Sequence, residues 1–276
     1  MSLLVFAISL TGFSILAGLL GALTGFGGGI IVIPVIVLVF HLPIHYAMGA
    51  SLISVIATSS SAGVSYLRQG YPNLRIGMLL EVTAVTGAII GAGLVTVFPK
   101  KILMILFSAL LFFSAYLTLK RREESERYNK SHPWATFFKL DNLHPAQLDV
   151  APYYVQQVPQ ALFLLAIAGL LSGLLGIGSG TMKVLAMDHS LKLPYKVATS
   201  TSNFMIGLTA AASAGIYFLQ GYIQPVIVFP VLIGVTIGAF FGTKLMSHLH
   251  TYYLRIIFSI AICFISAQMF YNAVTN

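Results

Sequence analysis

From residue 1 to residue 67 the chain carries no Asp, Glu, Lys or Arg, and the same holds for 197–243 and 256–276. Charge-free stretches of this length can bury themselves in hydrocarbon, where a backbone must satisfy its own hydrogen bonds and a helix of roughly 20 residues makes one crossing. Charged residues are 8% of the chain and hydrophobic residues 58%, against roughly 25% charged in ordinary soluble domains. The expected fold class is an all-α polytopic membrane protein. No Lys or Arg precedes the first apolar run, so 2–20 reads as a retained helix and not as a cleaved signal.

Apolar runs fall at 2–20, 30–40, 46–67, 76–98 and 102–119, and again at 160–175, 181–190, 197–219, 226–245 and 252–271. That is five elements in each half, or about eight to ten membrane segments. The halves are also alike in sequence. GALTGFGGG, beginning at Gly21, returns 151 positions later as SGLLGIGSG, beginning at Ser172. The same spacing pairs Pro43 with Pro194, Ser51 with Ser202, Thr58 with Thr209, Gln69-Gly70-Tyr71 with Gln220-Gly221-Tyr222, and Gly87 and Gly91 with Gly238 and Gly242. The division expected is a first transmembrane repeat over 1–119, a linker over 120–158 and a second repeat over 159–276.

The second element of each half is too short to span, and a glycine cluster separates it from the first. These are expected to be half-helices. Glycine-broken segments at matching places in two membrane halves are the best sequence pointer to a transporter's binding site.

Six of the fifteen basic residues and five of the seven acids lie in 120–158. Basic loops stay cytoplasmic, so this segment reads as a cytoplasmic linker and the net charge of +8 needs no nucleic acid to explain it. The loop at 68–75 is basic while its counterpart at 219–226 is uncharged. Conversely, 41–45 lacks Lys and Arg while its counterpart carries Lys192 and Lys196. Opposite charge placement favours inverted halves over a simple eight-span parallel duplication, with Lys100 and Lys101 as the exception. Cys263 is the only cysteine, which excludes a disulfide framework and a cysteine metal cluster.

Inside the spans, Thr83, Gly87 and Gly91, and likewise Gly234, Gly238 and Gly242, put small residues on one helix face, where helices approach closely in lipid. The glycine clusters fail both phosphate-loop patterns, since no Lys-Ser/Thr follows and Ile30 and Thr181 hold the last position of G-x-G-x-x-G. An unwound break suits an anion differently, by exposing backbone N–H groups at the positive end of the following half-helix. Candidate substrate-binding residues are therefore Gly27, Gly28, Gly29, Gly178, Ser179 and Gly180. Ser51, Ser202 and Asn203 join them from the polar helix starts behind each break, where the competing reading is that hydroxyls bond their own helix carbonyls.

Only Glu81, Asp188 and Lys183 place formal charge within apolar elements, where it is costly unless paired or hydrated. Lys183 is three residues past Gly180 and could balance an anionic substrate; its counterpart is Val32. Asp188 is either a charge-balancing group or the partner of Lys192 four residues on. Glu81 is either a proton-coupling carboxylate or extends toward Arg75. No H-E-x-x-H and no G-x-S-G occurs, so neither an intramembrane enzyme nor any metal or cofactor is expected.

The stretches GALTGFGGGIIVIP with AMGASL, and GLLGIGSGTMKVLAMD with KVATSTSNFMIGLTAAASAG, resemble the TauE/SafE family of sulfite and organosulfonate exporters. The resemblance spans both halves and leaves only the linker outside. It implies a plasma (inner) membrane transporter of small sulfur-containing anions, most simply an exporter, with an uncoupled channel-like permease as the alternative. It leaves self-association into a homo-oligomer open. The family's second glycine triplet and proline are here Gly178-Ser179-Gly180 and Leu185, against Gly27-Gly28-Gly29 and Pro34 in the first half. The helix bend in the second half is thereby left open.

Overall fold

In a computed structural model, the described residues are 2–24, 27–119, 132–140, 153–245 and 251–275. Most of the linker (120–131 and 141–152), Gly25 and Phe26, and residues 246–250 with their two histidines lie outside them. The described elements are helical: α1 (Leu3–Thr24), α2 (Gly29–Pro34) running into a π-helical turn (Val35–Val39), α3 (Ile44–Gln69), α4 (Leu74–Leu94), α5 (Lys100–Leu119), α6 (Pro133–Phe137), α7 (Val158–Leu175), α8 (Gly180–His189), α9 (Tyr195–Leu219), α10 (Pro225–Leu245) and α11 (Thr251–Thr275). Among the described residues α1, α3, α4, α7, α9 and α10 are long and apolar enough to cross a membrane. The protein is a polytopic helical one. The apolar run expected to reach residue 98 stops being helical at Leu94, because the chain turns there toward Pro99.

Helix starts in the two halves keep the 151-residue spacing: Gly29 and Gly180, Ile44 and Tyr195, Leu74 and Pro225, Lys100 and Thr251. Their packing is crosswise. Along α10, Gly234 lies against Thr11 and Ile15 of α1, Gly238 against Ile15 and Leu19, and Gly242 against Leu19 and Ala22, so the two helices run parallel. In the same way Gly87 lies against Ala166 and Leu170 of α7, and Gly91 against Leu170 and Leu174, making α4 and α7 parallel. Both contacts use the small-residue faces anticipated from the spacing. Side chains on the outer faces, such as Leu16, Phe229, Phe240 and Phe241, remain exposed, as lipid-facing surface should.

Loop contacts fix the directions. Phe40, after the π-helical turn, packs on Phe6 and Phe13 of α1, so the α1–α2 unit is a hairpin that returns to the face it entered from. At that face α3 begins beside the start of α10, where the His45 ring stacks 4.9 Å from Tyr222. Helix α3 crosses and ends in a left-handed glycine cap, Gly70, and α4 starts at the opposite face behind Asn73, whose side chain accepts from Ile76 N. There the Asn73 amide donates to Thr201 Oγ1 at 3.0 Å, placing the start of α9 beside that of α4, and Gln220 Nε2 donates to Ala92 O where both helices end. Since α7 runs parallel to α4, α1 and α7 start at opposite faces. Helices α5 and α11 pair with their ends reversed, Lys101 Nζ donating to Val274 O and Ser266 Oγ to Ser108 O.

The two short helices differ. Pro34 lacks an N–H, so the bond to the preceding turn is lost and the backbone widens into the π-helical turn at Val35. Leu185 makes no such demand, and α8 stays α-helical to His189. This answers the open question of the second bend. Both hairpins end on a non-glycine residue with positive φ, His41 (53°) and Lys192 (56°), again 151 positions apart.

Candidate functional site

The chain reverses at two breaks, one with Gly27 and Gly28 before α2 and one at 176–179 before α8. Gly27 (φ 77°), Gly176 (φ 68°) and Gly178 (φ 72°) take left-handed conformations that disfavour any Cβ. A Cβ on Gly176 would also fall 2.9 Å from Met48 Cβ. The breaks lie at the middle of α3 and α9 and face each other across two side chains. Val55 would touch a Cβ at Gly27 (3.3 Å) or at Gly178 (2.8 Å), and Ile206 approaches both positions at 3.6 and 3.5 Å. Val55 and Ile206 are themselves 151 residues apart, a correspondence that sequence reading passed over because both are ordinary apolar residues. Together they form a thin apolar septum between the breaks.

The hydroxyls behind the breaks divide into two groups. Ser54, Ser60, Ser61, Ser200 and Ser213 donate to carbonyls of their own helices, the structural alternative. Ser51 and Ser202 do not: Ser51 Oγ donates to Gly176 O at 2.7 Å and Ser202 Oγ to Gly180 O at 3.1 Å, so a serine from each half clamps the second break. The Asn203 side chain turns to Thr199 O within its own helix, while its carbonyl accepts from Ser59 of α3. Tyr217, fully buried, donates to the carbonyls of Gly173 or Leu174 and fixes the end of α7 against α9.

Two of the three intramembrane charges meet. Lys183 Nζ, completely buried on α8, lies 3.0 Å from Glu81 Oε2 on α4 and 3.2 Å from Met205 O on α9. Thr209 completes the cluster, accepting from Lys183 and donating to Glu81 Oε1. The arrangement excludes one alternative. Glu81 does not extend toward Arg75, whose guanidinium reaches Lys139 O instead, and Lys183 already has a protein counter-ion. The reason is that neither charge can reach water from its depth, so each is cheaper beside the other than alone. Asp188 stands half-buried near the end of α8.

The cluster joins Glu81 of the first half to Lys183 and Thr209 of the second and has no mirrored copy. At the positions 151 residues away stand Val32 for Lys183 and Leu232 for Glu81, and Thr58, the counterpart of Thr209, lies 3.5 Å from Gly28 N and bonds carbonyls of its own helix. One hydroxyl position therefore caps the first break and serves the ion pair at the second.

Two broken hairpins, entering from opposite faces and meeting across Val55 and Ile206, define a polytopic helical membrane protein. The model of the family described as "Sulfite exporter TauE/SafE" matches residues 10–269, and the chain belongs to that family. It is 32% identical over 230 residues, 82% of this chain and 86% of the relative, to the "Probable membrane transporter protein YdhB" of Bacillus subtilis (strain 168). It is also 25% identical over 268 residues, 94% and 96% of the two chains, to "Probable membrane transporter protein YunE" of the same organism. A shorter similarity, 33% over 106 residues and 38% of this chain, links it to "Probable membrane transporter protein ORF9" of Sinorhizobium sp. No solved structure matches the chain significantly.

Proposed function

We infer that the protein is a secondary transporter that exports small sulfur-containing anions such as sulfite, thiosulfate or organosulfonates across the plasma (inner) membrane. The observation that carries this reading is the meeting of two glycine breaks at mid-depth beside a buried Lys183–Glu81 pair. Half-helix ends and a lysine favour an anion, and a glutamate that can give up its hold on the lysine offers a way to couple the anion's arrival to a proton. Val55 and Ile206 would part as the α1–α10 pair rocks against the α4–α7 pair, opening each break in turn to one face. The inside-negative potential then favours export by about 2.3 kcal/mol per charge per 100 mV. The two halves, 1–119 and 159–276, are read as inverted copies of one unit, with the linker 120–158 on the cytoplasmic side; Arg68, Arg75 and Lys192 on its face support that orientation.

The test is uptake and efflux in proteoliposomes with sulfite, thiosulfate, taurine, sulfoacetate, sulfate and phosphate. Saturable movement of at least one sulfur anion is expected, reduced at least tenfold in Lys183→Ala. With Glu81→Gln, transport that remains is expected to lose its pH dependence; a variant as fast and as pH-dependent as the wild type rules out proton coupling through this residue. Conductance that never saturates would point to a channel instead.

A further inference from the structure

The 151-residue correspondence fails in an informative way at the second break. Position 21 is glycine and its counterpart is Ser172; position 28 is glycine and its counterpart is Ser179. In the first break these two glycines touch: a Cβ on Gly21 would lie 2.5 Å from Gly28 N and 2.7 Å from Gly27 C. That break is closed tightly, with Ile31 N already donating to Gly28 O at 3.2 Å and the Thr58 hydroxyl at Gly28 N. The second break must accommodate two hydroxymethyl groups where the first has none.

Both hydroxyls are buried, Ser172 completely and Ser179 at 1% exposure, and neither has a hydrogen-bond partner among the described residues. A buried hydroxyl left unpaired is costly and rare enough to need a reason. Ser179 is the N-cap of α8 yet, with a left-handed backbone (φ 45°), makes no side-chain hydrogen bond to the amides a capping serine would bind. Those amides are free of intrahelical bonds: the first such bond is Lys183 N to Ser179 O at 3.1 Å, after Gly180, Thr181 and Met182. The threonine that would reach this end, Thr209, is held by Lys183 and Glu81. Ser51 and Ser202 are likewise spent, on the carbonyls of Gly176 and Gly180. They turn acceptors away and leave donors in place.

We propose that the second break is the anion subsite, in which the hydroxyls of Ser172 and Ser179 and the first amides of α8 together coordinate one sulfur oxyanion group. Every group in it donates, and an SO₃ group offers three acceptor oxygens to receive them. Lys183, one turn further along α8, adds positive potential without touching the anion while Glu81 holds it. The first break then contributes shape and movement but no coordination. This assignment rests on the transport reading above and narrows it to two serines.

The proposal separates binding from stability. Ser179→Gly relieves a left-handed serine, and Ser172→Ala removes an unpaired hydroxyl from a helix, so both variants should melt in detergent at or above the wild-type temperature. Sulfite and taurine binding, measured by titration calorimetry on the purified full chain, should weaken roughly tenfold or more in each, as expected for hydrogen bonds to a charged group. Ser60→Ala, which removes an exposed hydroxyl bonded within α3, should bind as wild type does. Variants at 172 and 179 that bind with unchanged affinity overturn the subsite and leave the transport reading standing. A lowered melting temperature in either overturns the premise that these hydroxyls lack a protein partner. A wild-type protein that binds neither anion overturns the transport reading, and the subsite with it.

Discussion

Replacing Glu81 by leucine is expected to destabilise the detergent-solubilised protein by about 3–5 kcal/mol, the cost of leaving a buried cation without its partner. Lys183 is completely buried, and its remaining contacts, Met205 O and Thr209, are neutral oxygens that cannot replace a carboxylate. Lys183→Met should cost a similar amount, because Glu81 is then left with only the Thr209 hydroxyl. The double variant Glu81→Leu/Lys183→Met should return to within about 1–2 kcal/mol of wild type, since well-packed apolar residues often match a buried ion pair. Val32 and Leu232, 151 positions from Lys183 and Glu81, indicate that the architecture accepts such packing. Denaturant unfolding of all four proteins gives the coupling energy between the two residues. If both single variants unfold within about 0.5 kcal/mol of wild type, the ion pair is not formed in the membrane domain. The double variant should also be inactive in transport, which distinguishes a pair kept for function from one kept for stability.

This cluster shows where sequence reading stops. Glu81 and Lys183 are 102 residues apart, on helices from different halves, and neither has a charged counterpart, so the internal correspondence that located the breaks offered no hint of the pair. A usable signal did exist. Two opposite charges placed in otherwise uncharged spans have few ways to be neutralised except by each other. The hydropathy pattern, by contrast, located the hairpins and the small-residue faces directly, because lipid exposure and close approach each impose a residue type at a fixed helical spacing. Hydroxyls carry no such constraint. Ser51 and Ser60 look alike in the chain, yet one clamps a carbonyl of the opposite half and the other bonds its own helix.

The second large effect is expected at the crosswise helix pairs. A Cβ on Gly91 would overlap the Leu170 carbonyl oxygen, and one on Gly238 the Ile15 carbonyl oxygen; in both places the obstacle is backbone, which cannot rotate away as a side chain could. Even Gly→Ala should therefore force the axes of α4 and α7, or α10 and α1, apart and cost about 1–3 kcal/mol, with leucine costing more. Gly93 provides the control within the same helix. Two residues beyond Gly91 it faces outward with nothing within 4 Å of its would-be Cβ, so Gly93→Ala should be neutral or stabilise by about 0.5–1 kcal/mol through helix propensity alone. Thermal unfolding in detergent should rank Gly93→Ala at or above wild type and Gly91→Ala and Gly238→Ala well below it. If all three variants melt together, the parallel pairs are not in contact as described. A separation of the kind expected carries a mechanistic consequence. Each tight pair joins the first helix of one half to the fourth of the other, so the halves cannot move as independent blocks without breaking it. Rocking would then have to divide the molecule between the α1–α10 pair and the α4–α7 pair, with α3 and α9 crossing between them, and that is where Val55 and Ile206 stand.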